Sequence, residues 1–143
     1  MDKIGDDVRN FDINNKNEEE VLKSNYFSAY KGKMVVRIPN SGNAFSFGAI
    51  FMGSGNEIKD VKHEYGHTIQ FDKMGPVDYV KYVAIPSVTY YNLTKNGKVP
   101  HELYYNMPWE YQAELYGNVT ERDHEPWANK VNKIYSDLVN VLP

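Results

Sequence analysis

The 143-residue chain contains no cysteine. Disulfide bonds therefore cannot stabilise its fold, and a zinc site built from thiolates is excluded. The sequence also lacks an apolar run of the roughly 18 residues that a transmembrane helix needs, so we expect no membrane partner. The formal net charge is −3, and a chain without a basic excess is not expected to bind nucleic acid.

Residues 1–25 lack the apolar segment of a secretory signal peptide. Two locations stay open on this basis: the cytoplasm, or export as part of a larger protein. The length and the 41% hydrophobic content are typical of one globular domain, here residues 1–143. We expect the polar residues 1–10 to be loose.

Several short elements are predicted before the central motif. Residues 8–13 are expected to form a short strand, and Asn17 to cap a short helix whose first turn is acidic. Residues 34–38 and 45–52 read as two strands bounded by turns. We expect these two strands to pair antiparallel and to lead directly into the next helix.

The chain is organised around residues 63–67, which read His-Glu-Tyr-Gly-His. On a helix, positions i and i+4 lie on one face, so His63 and His67 can bind one zinc ion. Glu64 would then reach a water molecule bound to the metal. Apolar residues recur at helical spacing around the motif. Ser54 or Asn56 is expected to cap this helix, and the pair at 75–76, Gly-Pro, to end it.

A third protein ligand is expected from a later helix over residues 108–117. Glu110 and Glu114 lie four residues apart, so one can bind the metal and the other can accept a hydrogen bond from a ligating histidine. We assign the metal to Glu110 and the hydrogen bond to Glu114. Ala113 and Gly66 are small enough for the two helices to approach closely.

Two alternative third ligands follow in the charged loop at 121–125. Glu125 stays open as a ligand, although the adjacent Pro126 makes it less attractive than Glu110. His124 is a further histidine in this region, and we prefer Glu110 because Glu114 follows it by one turn.

The segment 98–107 is expected to pass near the metal. One of its side chains His101, Tyr104 and Tyr105 would donate a hydrogen bond to the developing oxyanion. His101 can instead be an ordinary surface histidine, and this reading stays open.

If the strand before the central helix lies at an exposed sheet edge, it could bind an extended peptide backbone by β-augmentation. Its missing side chain at Gly48 would let another backbone approach. The alternative is a core strand without a ligand role. The residues of this expected ladder are Ser46, Phe47, Gly48, Ala49, Ile50 and Phe51.

Three helices are predicted after residue 75, besides the one that carries Glu110. Two of them span 76–84 and 86–93, with a break at Ile85-Pro86. The last helix starts at Pro126, and its apolar residues recur at helical spacing, so we expect them to face the core. These residues are Trp127, Val131, Ile134, Leu138 and Val141.

Together, these motifs resemble the gluzincins, the zinc peptidases whose metal ligands are two histidines and one glutamate. Residues 63–67 match the first gluzincin motif, and Glu110-x-x-Ala113-Glu114 is similar to the second, with Glu114 where aspartate is commoner. The run 27–117 also resembles compact metallopeptidase domains at the C-terminal tips of bacterial polymorphic-toxin and repeat-rich surface proteins. The matching stretches are 27–32, 46–51, 61–70, 75–76, 85–87 and 108–117.

This resemblance implies an α+β, minimal zincin-like domain with a small antiparallel or mixed N-terminal sheet, the zinc-binding helix and several C-terminal helices. It implies a zinc endopeptidase with one Zn²⁺ held by His63, His67 and Glu110, and with Glu64 as general base. The partner would be a polypeptide substrate, and the domain a monomer that a larger parent protein can carry. The alternatives are a catalytically silent, zinc-stabilised binding module and a regulatory protease.

Overall fold

The computed structural model describes residues 3–141 and shows an α+β fold with one mixed four-stranded sheet, as expected. Within these residues, no helix has both the length and the apolar character that a bilayer crossing requires. In chain order the elements are α1 (Lys3–Asn10), α2 (Glu18–Lys23), β1 (Phe27–Tyr30), β2 (Lys33–Arg37), β3 (Phe45–Ser46), β4 (Ile50–Met52), α3 (Ile58–Met74), α4 (Pro76–Tyr79), a π-helical segment (Val80–Ala84), α5 (Ile85–Lys95), a 3₁₀ helix (His101–Asn106), α6 (Pro108–Tyr116) and α7 (Ala128–Val141).

The N-terminal segment is a helix, so the predictions of a loose segment over 1–10 and of a strand over 8–13 are wrong for the described residues. Asp7 of α1 is buried, and its carboxylate accepts hydrogen bonds from the backbone N–H groups of Asn25, Tyr26 and Phe27. This long-range contact fixes α1 against the start of β1. The prediction that Asn17 caps α2 is confirmed, because its side chain accepts from the Glu19 N–H.

The sheet has the strand order β1-β2-β4-β3. β1 pairs antiparallel with β2, β4 pairs antiparallel with β3, and β2 pairs parallel with β4. The prediction of one strand over 45–52 that pairs antiparallel with 34–38 is therefore wrong. A tight turn over 47–49 divides that stretch into a hairpin, in which the Phe47 N–H donates to the Ala49 carbonyl and Gly48 has a φ of 77°.

The core lies between the sheet and α3. It consists of fully buried side chains from α2, three strands and α3. Tyr65 of α3 packs against this core, with its ring edge-on to Tyr30 at 5.4 Å between ring centroids. One side of α3 is thereby fixed on the sheet. The core residues are Val21, Tyr30, Val35, Ile50, Met52 and Val61.

α3 begins differently from the prediction that Ser54 or Asn56 caps it. The Glu57 N–H donates to the Asp60 carboxylate at 2.7 Å, which is the reciprocal arrangement of a capping box. The Asn56 side chain instead accepts from the Gly53 N–H, and the Ser54 hydroxyl donates to the Ser41 carbonyl. Both residues stabilise the preceding turn.

The other side of α3 packs against α6 with backbone in contact with backbone. A Cβ atom added to Gly66 would lie 1.8 Å from the Ala113 carbonyl oxygen. A Cβ atom added to Gly117, just after α6, would lie 1.9 Å from the Lys62 carbonyl oxygen. The prediction that Gly66 and Ala113 allow close approach is therefore confirmed.

The helices on either side of Pro86 follow one another without a gap, through the π-helical segment. Proline has no N–H to donate and crowds the carbonyl four residues earlier, here that of Tyr82. The Tyr135 hydroxyl of α7 donates to this carbonyl at 2.7 Å. At the predicted break, Ile85-Pro86, the chain thus changes from a π-helix to an α-helix. The carbonyl that Pro86 leaves without a donor is hydrogen-bonded by Tyr135 of α7.

α7 turns several polar side chains inward, so the prediction that its apolar residues face the core is wrong for Ile134 and Leu138, while the side chain of Val141 lies outside the described part of the chain. Ala128 and Asn132 are buried, and Ser136 accepts a hydrogen bond from Gln112 of α6. Ile134 is 68% exposed and Leu138 is 55% exposed. Hydrogen bonds to α6 and to the π-helical segment, rather than apolar burial, decide which face of α7 points inward.

We predict that Gly66→Ala destabilises the protein by at least about 2 kcal/mol, because overpacking against a backbone carbonyl cannot be relieved by a side-chain rotation. Alanine is the better helix former by about 1 kcal/mol, so a loss of stability reports the contact with α6. Gly42→Ala is the matched control, since nothing lies within 4 Å of its Cβ position. Urea denaturation with equal effects of both variants would contradict this packing.

We predict that Asp7→Asn lowers the free energy of unfolding by about 2 kcal/mol at pH 7, because one carboxylate oxygen acceptor is lost. Burial raises the pKa of Asp7, but the three backbone N–H groups outweigh this and hold it below its ordinary value. A lowered pKa stabilises the fold above about pH 4, and this stabilisation is lost as the pH falls through the folded-state pKa. The difference between the two proteins should therefore shrink on acidification.

Urea titrations at several pH values measure this difference. Asp137→Asn, on the exposed side of α7, is the control. An Asp7→Asn effect that stayed constant down to the lowest pH would show that the carboxylate charge has no part in anchoring α1.

Candidate metal centre

Two neighbouring turns of α3 and the first turn of α6 bring three buried side chains together. These are His63, His67 and Glu110, and their ligand atoms lie within 4.8 Å of one another. The three predicted ligands therefore converge, and this group could hold a metal ion. The backbone contact at Gly66 makes this possible, because it places the two helices close enough for short side chains to meet.

Outer hydrogen bonds fix the orientation of both imidazole rings. His63 Nδ1–H donates to Glu114 Oε2 at 2.8 Å, and His67 Nδ1–H donates to Gln70 Oε1 at 2.6 Å. Because both acceptors lack a proton to give, each Nδ1 must carry the hydrogen. Both Nε2 atoms then face Glu110, which is how histidines are arranged when they bind a metal through Nε2.

The contacts between Glu110 and the two histidines leave one oxygen of the Glu110 carboxylate without a partner. Glu110 Oε1 lies 3.1 Å from His63 Nε2 and 2.9 Å from His67 Nε2, and Glu110 Oε2 is buried without any hydrogen-bond partner. A buried carboxylate oxygen without a partner is costly. A metal cation shared by the two imidazoles and this carboxylate would satisfy it, so the residues fit a divalent ion.

The pKa values follow the same pattern. Burial lowers the pKa of His63, but the carboxylates of Glu110 and Glu114 outweigh it and raise the pKa to about 10. The pKa of His67 is also raised by Glu110 against the effect of burial, and the two histidines hold that of Glu110 below its ordinary range. Since metal ligands must be deprotonated, binding an ion here would release protons.

Glu114 is itself held from the other side. Its Oε1 accepts from Arg122 Nε at 3.0 Å and from His124 Nε2 at 3.2 Å. Arg122 also donates to Asp60 in the first turn of α3, at 2.9 Å. Glu114 thus joins His63 to Arg122 and His124 through its two carboxylate oxygens. These contacts give His124 a role other than metal ligand.

Glu64 is held at the edge of the sheet. The Ser46 hydroxyl lies 2.9 Å from both Glu64 Oε1 and the Glu64 carbonyl oxygen, and the Tyr79 hydroxyl donates to the Ser46 carbonyl. Ser46 belongs to β3, one of the two outer strands of the sheet. The predicted substrate-binding residue Ser46 thus contacts the predicted general base.

An open cleft with two lobes runs across the site. Glu64 lines both lobes, and His63 and His67 each line one of them, so we call them the His63 lobe and the His67 lobe. Phe45 of β3 and Val88 of α5 also line both lobes. β3 and α5 therefore form walls that the two adjoining lobes share.

The three candidates from the 3₁₀ helix all line the His63 lobe. Tyr104 also reaches the His67 lobe, and its hydroxyl shares a hydrogen bond of 2.8 Å with Ser87. Burial, followed by the charge of Glu110, raises the pKa of Tyr104 above its ordinary value, so the phenol keeps its proton. His101 is exposed and stacks on Tyr104, as expected of a surface histidine.

Tyr105 has a packing role beside the ligands. Its ring lies edge-on to the His63 ring, with 5.1 Å between ring centroids. In a second contact, Arg122 Cζ lies 3.7 Å from the Tyr105 ring centroid. Among the three candidates, Tyr104 is therefore the residue best placed to donate a hydrogen bond into both lobes.

The prediction that residues 46–51 form one exposed edge strand, along which a substrate could pair, is wrong. Ile50 and Phe51 pair with β2 on one side and with β3 on the other, so their backbone groups are used within the sheet. Residues 47–49 form the hairpin turn, which leaves Phe45 and Ser46 as the free edge beside the cleft. Sequence periodicity did not reveal this turn, although Gly48 is a turn signal.

Glu125, the alternative third ligand, is exposed and lies outside the ligand group. Its backbone N–H donates to Asn106 instead. Sequence reasoning missed Gln70 and Arg122. Gln70 could have been found, because it lies three residues after His67 on the same helix, whereas nothing in the local sequence around Arg122 indicates its contact with Glu114.

Comparisons with protein-family models, with curated proteins and with solved structures find no match for this chain. The resemblance to the gluzincins is an inference from the motif residues.

We predict that the chain binds one zinc ion and that Glu110→Ala removes this binding, because it removes a ligand. Glu114→Gln should lower zinc affinity 10–100-fold, the usual effect of losing an outer hydrogen-bond partner of a ligating histidine. His101→Ala, on the exposed ring in the cleft, should leave the affinity unchanged. Isothermal titration with Zn²⁺ measures all three, and equal affinities across the series would show that the metal binds elsewhere.

Proposed function

We propose that this chain is a zinc-dependent endopeptidase. The observation that carries the proposal is that Glu64, a buried carboxylate on α3, lies between the two histidines in sequence and lines the same cleft. A structural metal site requires only ligands, and Glu64 is not among the three ligands. Its placement supports a role in proton transfer.

The donor set supports zinc as the metal. Two imidazoles and one carboxylate are typical of catalytic zinc sites, which keep a fourth position open. His63, His67 and Glu110 would hold the ion through Nε2, Nε2 and a carboxylate oxygen. When bound, zinc acts as a Lewis acid that activates water and polarises a substrate carbonyl.

The residues of the chain supply the proton transfers and the orientation. Glu64 would take a proton from the attacking water and pass it to the leaving amine, so that the peptide bond is cleaved into a carboxylate and an amine. Ser46 would hold the Glu64 carboxylate in place for both transfers. Tyr104, which keeps its proton, would donate a hydrogen bond to the oxygen that gains negative charge.

The substrate would lie extended beside β3. Among the described residues no further strand lies on the outer side of β3, because β4 occupies only its inner side, although the Ser46 carbonyl already accepts a hydrogen bond from Tyr79. Pairing on this outer side binds a polypeptide through main-chain hydrogen bonds, independently of its sequence. The short length of the free edge, Phe45–Ser46, limits this pairing to a few residues.

We predict that Glu64→Gln lowers the rate of cleavage of an unstructured polypeptide by 10²–10⁴, because the amide cannot accept the proton. Zinc binding should be retained, since Glu64 is not a ligand. Casein digestion followed by mass spectrometry measures cleavage, and zinc content is determined in parallel. Glu19→Gln, an exposed position on α2, is the matched control and should behave as the parent.

Two results would contradict the proposal. If Glu64→Gln cleaves as fast as the parent, Glu64 is not the general base. If the zinc-loaded parent cleaves no polypeptide while it binds one zinc ion, the chain is a zinc-stabilised binding module.

A further inference from the structure

The two lobes of the cleft differ in chemistry. The His63 lobe is lined by several polar side chains, among them Asn43, Asn56 and His101. The His67 lobe is lined by Phe47, Tyr79, Val83, Ala84 and Val88 besides the groups of the site itself. The cleft is therefore polar on one side of Glu64 and apolar on the other.

Apart from the groups of the site itself, the polar side chains of the His67 lobe are already paired within the protein. The Ser46 hydroxyl donates to Glu64, the Tyr79 hydroxyl donates to the Ser46 carbonyl, and the Ser87 hydroxyl bonds to Tyr104. Because these groups already have hydrogen-bond partners, they do not need a polar ligand to satisfy them. A polar side chain entering this lobe would lose its bonds to water without replacing them, which is unfavourable.

The lobe is open at its rim and closed at its floor. Phe47 and Val88 are 50% and 60% exposed, whereas Tyr79 and Val83 are 2% and 1% exposed. Exposed apolar residues around a buried apolar floor lose water when an apolar group binds, and this burial is favourable. The shape and chemistry of the lobe therefore fit one apolar side chain.

The π-helical segment forms the wall of this lobe. Val83 and Ala84 are its last two residues, and both line the lobe. Pro86 and the hydrogen bond from Tyr135 to the Tyr82 carbonyl maintain the π-helical turn. Ala84 is the smallest side chain on this wall, so it leaves the space that a larger residue would fill.

We propose that the His67 lobe is a specificity site that takes one large apolar side chain of the bound polypeptide, and that Ala84 sets the size it accepts. This proposal rests on the proposed function for its occupant, a polypeptide lying along β3. The selectivity itself comes from the lobe and not from the cleavage reaction.

Binding and cleavage test it separately. Labelled Gly/Ser peptides with one variable residue (Gly, Ala, Leu or Phe) are titrated by fluorescence anisotropy against the zinc-loaded Glu64→Gln protein, which leaves them intact. The same peptides are incubated with the zinc-loaded parent, and their products are identified by mass spectrometry. We expect the Leu and Phe peptides to bind at least about tenfold tighter than the Gly peptide.

Ala84→Leu fills the lobe and should remove this preference, so that the Leu and Phe peptides bind no tighter than the Gly peptide. Ala84→Val fills it partly and should weaken Phe binding more than Leu binding, which also serves if the leucine variant does not fold. Ile85→Phe is the matched control, because it adds bulk at the next residue, which is 57% exposed and does not line the lobe. Each variant is introduced beside Glu64→Gln, and its melting temperature is measured.

Equal affinities across the four peptides overturn the specificity site, whether or not the parent cleaves them. If the Ala84 variants are folded and bind all four peptides with the affinities of the protein that keeps Ala84, Ala84 does not set the size that the lobe accepts. Size-dependent binding that Ala84→Leu removes, without cleavage by the parent, retains the specificity site and refutes the peptidase function. Cleavage that does not depend on the variable residue retains the peptidase function and refutes the specificity site.

Discussion

The close contact between α3 and α6 is the constraint on which the candidate centre depends. Gly66 lies between His63 and His67, and it meets the backbone of Ala113, the residue before Glu114. A side chain at position 66 would push apart the two helices that carry the ligands. Since carboxylate and imidazole arms are short, even a small separation would break the convergence of His63, His67 and Glu110. The smallest residue in the motif therefore decides whether the larger ones can act together.

This close packing buries carboxylate charge, which protonated histidines or a metal cation can balance. Glu64, Glu110 and Glu114 are all buried, and Arg122 is the permanent cation that contacts one of them. Buried carboxylates are tolerated when they are paired or bind metal. Arg122 accounts for Glu114, and the histidines account for only one oxygen of Glu110. Its other oxygen, Oε2, is buried without a hydrogen-bond partner on the same carboxylate that both Nε2 atoms face, which is consistent with a divalent ion.

The parts of the fold that were predictable from sequence are those set by local spacing. The helical periodicity of α3, the i to i+4 pairs and the small residues at 66 and 113 correctly indicated that His63, His67 and Glu110 converge. The parallel pairing of β2 with β4 was not predictable, because it joins strands that are not adjacent in the chain. The helix around Asp7 depends on backbone groups nearly twenty residues away, and the contact of Arg122 with Glu114 depends on how a loop returns to α6. Such tertiary contacts leave no periodic signal.

The inward polar face of α7 supports two features of the site, the orientation of His67 and the π-helical wall of the His67 lobe. Its Ser136 accepts from Gln112, whose side-chain oxygen accepts from Gln70, which in turn orients His67. Its Tyr135 satisfies the Tyr82 carbonyl that Pro86 leaves free, and so supports the wall of the His67 lobe. An apolar inner face would supply neither hydrogen bond. One helix thus connects the orientation of a candidate metal ligand with the shape of the adjoining apolar lobe, while Ile134 and Leu138 on its outer face stay in solvent.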